Sequence, residues 1–261
     1  MGLELLSAEE LSDAELAALF TASYEGYGVP FAIDAAALRF MTEAYDLDRG
    51  ASRIAVRDGR AVGVANLGLR GTDAWIGGIG VVPDERRRGV GRLLMEAVHD
   101  QARARAIERV WLEVIVENAP AVTLYETLGY RRVRDVEVWS VPGAPGPVAK
   151  VAVAEARRAI AADRRARDPW QRADDTVDNL DDAIGIASDG AAAVVRLANG
   201  RAQLLQAAGP AAGLQTVIRA AAALADSLLV LNVPLDDPMG PVLESLGGAA
   251  AVRQHEMVLE L

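Results

Sequence analysis

Thirteen consecutive residues, Val82-Pro-Asp-Glu-Arg-Arg-Arg-Gly-Val-Gly-Arg-Leu-Leu94, place two glycines and four arginines where a strand-like segment hands over to an amphipathic helix. Gly89 and Gly91 have no Cβ, so backbone N–H groups at the helix start can turn toward an oxyanion, and the helix dipole adds partial positive charge. Arg86, Arg87, Arg88 and Arg92 add formal charge. So many donors and cations within one turn of chain suit a pyrophosphate better than a single carboxylate, a solvated basic turn being the plainer reading. Two named phosphate motifs fail: there is no Gly-x-x-x-x-Gly-Lys-Ser/Thr, and Leu94 stands where a dinucleotide fingerprint needs glycine or alanine. The chain has no cysteine and only two histidines, His99 and His255, so thiol nucleophiles, zinc sites and Ser-His-Asp triads are poorly supported. Both histidines read as incidental, and no metal site is expected.

The surrounding elements must aim this loop. Helices are expected over 10–24 and 33–44, then strands over 52–56 and 61–69 around an Asp58-Gly59 hairpin turn. A strand over 75–82 leads into the loop, and Val90, Leu93, Leu94, Ala97 and Val98 give the next helix an apolar stripe. A buried strand over 109–116, a helix over 119–128 and a strand over 132–141 complete an α/β sandwich with a mixed sheet. Val141-Pro-Gly-Ala-Pro-Gly-Pro-Val-Ala-Lys150 then denies helix and sheet their hydrogen bonds. The expected organisation is a first domain over 1–141, a linker over 142–150 and a second domain over 151–261.

The loop resembles motif A of the GNAT superfamily of acetyl-CoA-dependent N-acetyltransferases, Gln/Arg-x-x-Gly-x-Gly/Ala, in Arg86-Arg-Arg-Gly89-Val-Gly91. Asn118-Ala-Pro-Ala121-Val-Thr-Leu124-Tyr125-Glu-Thr-Leu-Gly129-Tyr130 resembles the second signature of that family, Asn-x-x-Ala-x-x-Leu-Tyr-x-x-x-Gly-Phe. Within the superfamily, Trp111-Leu-Glu-Val114 followed by Asn118 is similar to the ribosomal-protein N-terminal alanine acetyltransferases.

The resemblance implies a GNAT fold and acetyl-CoA as cosubstrate. It implies that backbone at Ile79, Gly80 and Val81 holds the pantetheine arm, that N–H groups from Arg87 through Val90 to Arg92 take the pyrophosphate, and that Asn118 bonds the cofactor arm or caps the next helix. Glycines 77, 78 and 80 are costly inside a strand, and an approaching ligand is one reason to keep them; a bulge or tight sheet packing is the other. Tyr125 is implied as the acid that protonates the departing thiolate. The attacking amine must itself lose a proton. Glu113, centred on an otherwise apolar strand, is the best candidate base, with Glu117 in reserve. In this fold the α1–α2 loop recognises the acceptor, which implies Tyr24, Tyr27 and Phe31 as substrate-binding residues, or as a hydrophobic plug.

The second half repeats the plan in reduced form. Asp189-Gly190 echoes Asp58-Gly59, and Val242-Leu-Glu-Ser-Leu-Gly247 echoes Leu124-Tyr-Glu-Thr-Leu-Gly129, with 13 fewer residues between the landmarks. Leu243 stands for Tyr125 and Asp236 for Asn118, and no arginine lies in Ala208-Gly-Pro-Ala-Ala-Gly-Leu214. A degenerate, smaller GNAT-like lobe is therefore expected. The formal net charge of −10 would repel nucleic acid and anionic membranes, and no membrane span or basic leader is evident, so a cytoplasmic protein is expected. Its partner would be a small-molecule or peptide amine, and its state a monomer with pseudo-dimeric lobes or a homodimer. Alternatives are transfer of another acyl group or to another acceptor atom, and a non-catalytic acyl-CoA-binding regulator.

Overall fold

The computed structural model describes residues 2–26, 32–164 and 166–261. It divides into two units, one of residues 1–114, 118–132 and 257–261, the other of 115–117 and 133–256.

The first unit begins with β1 (Leu3–Ser7), α1 (Asp13–Ser23) and α2 (Ala35–Ala44). Ser12 and Glu15 form a reciprocal capping box on α1, and the Asp34 carboxylate caps α2 through Ala37 N–H at 2.8 Å. Next come β2 (Arg53–Arg57), β3 (Arg60–Arg70), β4 (Asp73–Val81), α3 (Val90–Ala104), β5 (Arg109–Ile115) and α4 (Ala119–Thr127). β1 to β4 form an antiparallel meander, and β5 runs parallel to β4. The β2–β3 turn has φ +51° at Asp58 and +76° at Gly59, the left-handed pair that matches strand twist in a two-residue hairpin. On α3 the buried stripe is Val90, Leu94, Met95, Val98 and Ala102, whereas Leu93, expected on that stripe, is exposed. β1 escaped the sequence reading because Leu-Glu-Leu-Leu-Ser has no alternation and its middle residues are exposed.

The second unit holds most of β6 (Arg131–Pro142), then β7 (Lys150–Val151), α5 (Val153–Asp163), α6 (Asp174–Asp178), β8 (Ile184–Ser188), β9 (Ala191–Ala198), β10 (Arg201–Ala208), α7 (Ala211–Ala222), β11 (Ser227–Pro234), α8 (Met239–Ser245) and the first part of β12 (Ala249–Glu260). Its element order reproduces the first unit's. β10 and β11 pair in parallel over three residues, as β4 and β5 do, and each copy carries a β-bulge in the middle strand just beyond that pairing.

The sequence boundary at 142–150 differs from the structural one. β6, expected to close the first domain, pairs antiparallel with β11 from Val136↔Pro234 to Pro142↔Ser227, within the second unit. The last residues of β12 belong instead to the first, where Met257 is in the core and Leu261 N–H donates to Glu108 C=O at 2.9 Å. Local periodicity identifies a strand but carries no information about which partner edge takes it.

Candidate active site

β4 and β5 are paired only at Asp73↔Arg109, Ala74↔Val110 and Trp75↔Trp111. Beyond Trp75 that ladder stops while β4 continues to Val81 against β3, so one edge of β4 parts from β5. Val82 N–H donates to Val62 C=O on the β3 side. Alternate residues of an antiparallel ladder direct both backbone polar groups to the same neighbour, so Ile79 and Val81 point theirs to the parted edge and Gly80 points its own toward β3. Of the three expected arm-holding residues, Ile79 and Val81 are thus oriented for it and Gly80 is not. The glycines have a nearer cause than a ligand: a Cβ at Gly78 would lie 2.3 Å from Phe20, one at Gly80 2.2 Å from Ser23 Oγ, and one at Gly77 2.6 Å from Leu47. Close packing of the protein's own side chains, with the bulge, accounts for them.

At the end of β4 a short 3₁₀ turn, Pro83–Glu85, leads into the arginine run. Arg87 has φ +61° and Gly89 φ +82°, two left-handed residues separated by one, which curls successive amides into a concave nest. The first donor inside α3 is Leu93, to Gly89 C=O at 3.1 Å, so the N–H groups of Val90, Gly91 and Arg92 precede the helix's own bonds. No atom lies within 4 Å of where a Gly89 Cβ would sit. Amides, dipole and open approach fit a diphosphate.

The arginine side chains divide their tasks. Arg86 is structural: its Nε donates to Val81 C=O at 2.9 Å and its NH2 to Ser23 C=O at 3.1 Å and Glu25 C=O at 2.5 Å, clamping the end of α1 to the end of β4. Its Nε and one NH2 group are engaged by carbonyls, a structural part beside the phosphate contact expected of it. Arg88 shares the buried Glu85 with Arg57, at 3.3 and 3.0 Å. Arg92 lies 3.7 Å from Glu96, and Arg87 is exposed.

Asn118 Oδ1 accepts from Ala121 N–H at 3.3 Å, so it caps α4, one of the two roles expected of it. Tyr125 is buried on α4 with its ring 5.8 Å from that of Tyr130. Glu113 lies two residues past the last β4–β5 pair, half-buried where the strands part, and its Oε2 accepts from Trp75 Nε1–H at 2.8 Å. Asp73, at the paired start of β4, is held by both Arg109 and Trp111 Nε1–H. Tyr24 ends α1, its ring edge-on to Phe20 with centroids 5.0 Å apart, and its hydroxyl lies beside Gly78. Tyr27 and Phe31 fall outside the described residues. Thr21 Oγ1 exchanges hydrogen bonds with the backbone of Ile33 at 3.0 and 3.1 Å, which ties the two ends of that loop together.

The sequence over 15–130 matches the acetyltransferase (GNAT) family. Residues 15–130 form a GNAT acetyltransferase domain. A 58-residue stretch is 45% identical to the [ribosomal protein bS18]-alanine N-acetyltransferase of Salmonella typhimurium, covering 22% of this chain and 39% of that enzyme, so the chain matches about two-fifths of that relative's length. A GCN5-related N-acetyltransferase from Sphaerobacter thermophilus superposes with a TM-score of 0.75 at 17% identity, covering 99% of this chain and 95% of the other. A tandem GNAT protein from the clavulanic acid biosynthesis pathway superposes at 0.63 and 17% identity, covering 99% and 98%. These two structures share the fold.

The placement of two buried polar residues escaped the sequence reading. Asn66 is buried on β3 directly opposite Gly78, and its Nδ2 has no hydrogen-bond partner among the described residues. An asparagine within the otherwise apolar run 61–69 was the available signal. His99, taken as incidental on a polar flank, is 3% exposed, and its Nε2 lies 2.9 Å from the Tyr130 hydroxyl. His255 likewise has a partner, with Nδ1 2.7 Å from Asp135 Oδ1. Burial, with Arg103 adding to it and Asp100 opposing, pushes the His99 imidazole down to about 4. Because the folded value lies below the ordinary 6.5, the unfolded chain binds the proton first. Stability from the neutral imidazole is therefore full above pH 6.5 and lost as pH falls through 4. Urea denaturation at pH 7 and pH 4 is expected to show wild type losing on the order of 3 kcal/mol more than His99→Gln. Equal losses would contradict a buried neutral His99.

The second unit lacks the nest. Only Gly209 and Pro210 join β10 to α7, Pro210 is the N-cap, and the Cβ positions of Gly209 and Gly213 are filled by Ala191 and Asp189 backbone. Leu243 is buried; Pro238 is the N-cap of α8, and the residue before it, Asp237 rather than Asp236, accepts from Met239 N–H through Oδ1 at 2.9 Å. Among the described residues no cluster of three or more His, Asp or Glu side chains could hold a metal ion, and no helix is long and apolar enough to cross a membrane.

Proposed function

We propose that the chain is an acetyl-CoA-dependent N-acetyltransferase that passes the acetyl group to a primary amine by direct attack in a ternary complex. The observation that carries this reading is the left-handed pair Arg87 and Gly89 at the head of α3, beside the edge of β4 that parts from β5. Amides of Val90, Gly91 and Arg92 would receive the diphosphate, with Arg87 and Arg88 as local cations, and the outward backbone of Ile79 and Val81 N–H would align the arm. Bound acetyl-CoA supplies an activated thioester. The chain's own part is to orient it, to keep water from the fork between β4 and β5, and to manage two protons. Tyr125 holds one at its phenolic oxygen for the departing sulfur, and Glu113 takes one from the incoming ammonium nitrogen, because only the neutral amine carries a lone pair.

The acceptor is proposed as a small-molecule or peptide amine, the relative from Salmonella typhimurium being named for a protein alanine. The second unit, with no nest and Leu243 in place of the phenol, is proposed to serve structure alone. Thiol release from acetyl-CoA, assayed against a panel of amino acids, aminoglycosides and peptide N-termini, tests the reading; no amine-dependent release from protein that binds acetyl-CoA would favour a regulatory binder instead. Glu113→Gln is expected to lower kcat roughly 10- to 100-fold at neutral pH and to lessen that loss at high pH, where the amine arrives already neutral. An unchanged rate and pH profile would assign the proton to water or Glu117.

A further inference from the structure

The helix α4 ends in a Schellman cap: Tyr130 N–H donates to Tyr125 C=O and Gly129 N–H to Glu126 C=O, both at 3.0 Å, with Gly129 at φ +94°. This cap sets the residue after the glycine against the residue one turn back, so the Tyr130 ring lies on that of Tyr125. The Tyr130 hydroxyl is in turn fixed by His99, which stands on α3, the same helix whose first turn forms the nest. We propose that His99 and Tyr130 are positioning residues that brace the Tyr125 phenol relative to the cofactor loop. This inference rests on the reading of Tyr125 as the acid.

The cap alone does not call for this pair. In the second unit, α8 closes with the same two bonds, Gly247 N–H to Glu244 C=O and Gly248 N–H to Leu243 C=O, both at 2.9 Å. There glycine stands where Tyr130 does and leucine where Tyr125 does, so the turn forms without aromatic or polar partners. The first unit instead buries an imidazole and a phenol, at 3% and 4% exposure, which is costly unless they bond each other. Neutral His99 has one donor and one acceptor nitrogen, and with either tautomer its Nε2 holds the Tyr130 oxygen in place, as acceptor or as donor. A fixed Tyr130 ring removes one direction in which the Tyr125 ring can tilt. Since a small misplacement of a reacting group costs rate rather than affinity, the pair should act on kcat.

Steady-state kinetics of Tyr130→Phe, His99→Gln and each combined with Tyr125→Phe tests the proposal. Each single variant is expected to lower kcat roughly 5- to 20-fold with the KM for acetyl-CoA within about 2-fold, and to change kcat by less than about 2-fold once Tyr125 is already phenylalanine. In protein labelled with ¹³Cζ-tyrosine, the Tyr125 resonance, assigned by its loss in Tyr125→Phe, should move in both single variants without any acceptor present. Equal factors in the two backgrounds together with an unmoved Tyr125 resonance would reduce the pair to core structure and overturn the proposal. A moved resonance with Tyr125→Phe at full activity would keep the brace and defeat the acid assignment instead. Should one single variant not fold, the other carries both measurements.

Discussion

Tyr125→Phe should lower kcat by roughly 10² to 10⁴, about 3 to 5 kcal/mol of transition-state stabilisation, while leaving acetyl-CoA affinity close to wild type. The substitution removes one oxygen and keeps the ring that packs on Tyr130, so the cap of α4 and the local core survive. On the proposed reading, what is lost is a proton positioned for the departing sulfur. The effect should fall on kcat because the nest proposed to receive the diphosphate is built from the main chain at the head of a different helix, α3. Stopped-time thiol release with a productive amine, alongside calorimetry with acetyl-CoA, checks both halves of the expectation. Full turnover in the variant would remove Tyr125 as the acid.

Gly89→Asp should weaken acetyl-CoA binding by at least roughly 100-fold, about 2.7 kcal/mol, at a cost of only about 1 kcal/mol in stability for a side chain in the left-handed region. Aspartate is among the few residues that tolerate a left-handed backbone and is a favoured N-cap, and the space around a new Cβ at this position is open. The fold should therefore accept it. Its carboxylate would occupy the anion position at the mouth of the α3 dipole and repel a diphosphate there. Gly89→Asn, of similar shape and no charge, separates the two causes and should retain much of the affinity. If the aspartate variant binds acetyl-CoA as tightly as wild type, the diphosphate is held elsewhere.

Much of this site was legible from residue types and spacing because its parts are local. The Arg87 to Arg92 loop, the Asn118 cap and the Asp58-Gly59 turn each depend on contacts within a few residues, and each forms where the sequence places it. The features that were hidden depend on distant partners. Arg86 reads like its neighbours until the carbonyls of Ser23 and Glu25 arrive from α1 and engage its guanidinium. The glycines of β4 read as room for a ligand until Phe20 and Ser23 fill it. His99 follows Val98 in an amphipathic pattern that cannot disclose a phenol 31 residues further along the chain. The fate of β6 was hidden for the same reason, since its apolar alternation satisfies either sheet edge equally well.

The assignment of Met257 to Leu261 to the first unit has a bearing on how the protein is made. Although most of that unit is translated early, Met257, which belongs to its core, leaves the ribosome only after the whole second unit has been synthesised. A nascent chain paused near residue 141 would hold a strand that pairs within the second unit and lack Met257 of the first unit's core, so that core would be completed only later. That core waits on residues 257–261, so a fragment cut at the proline-rich stretch would lack part of the first unit.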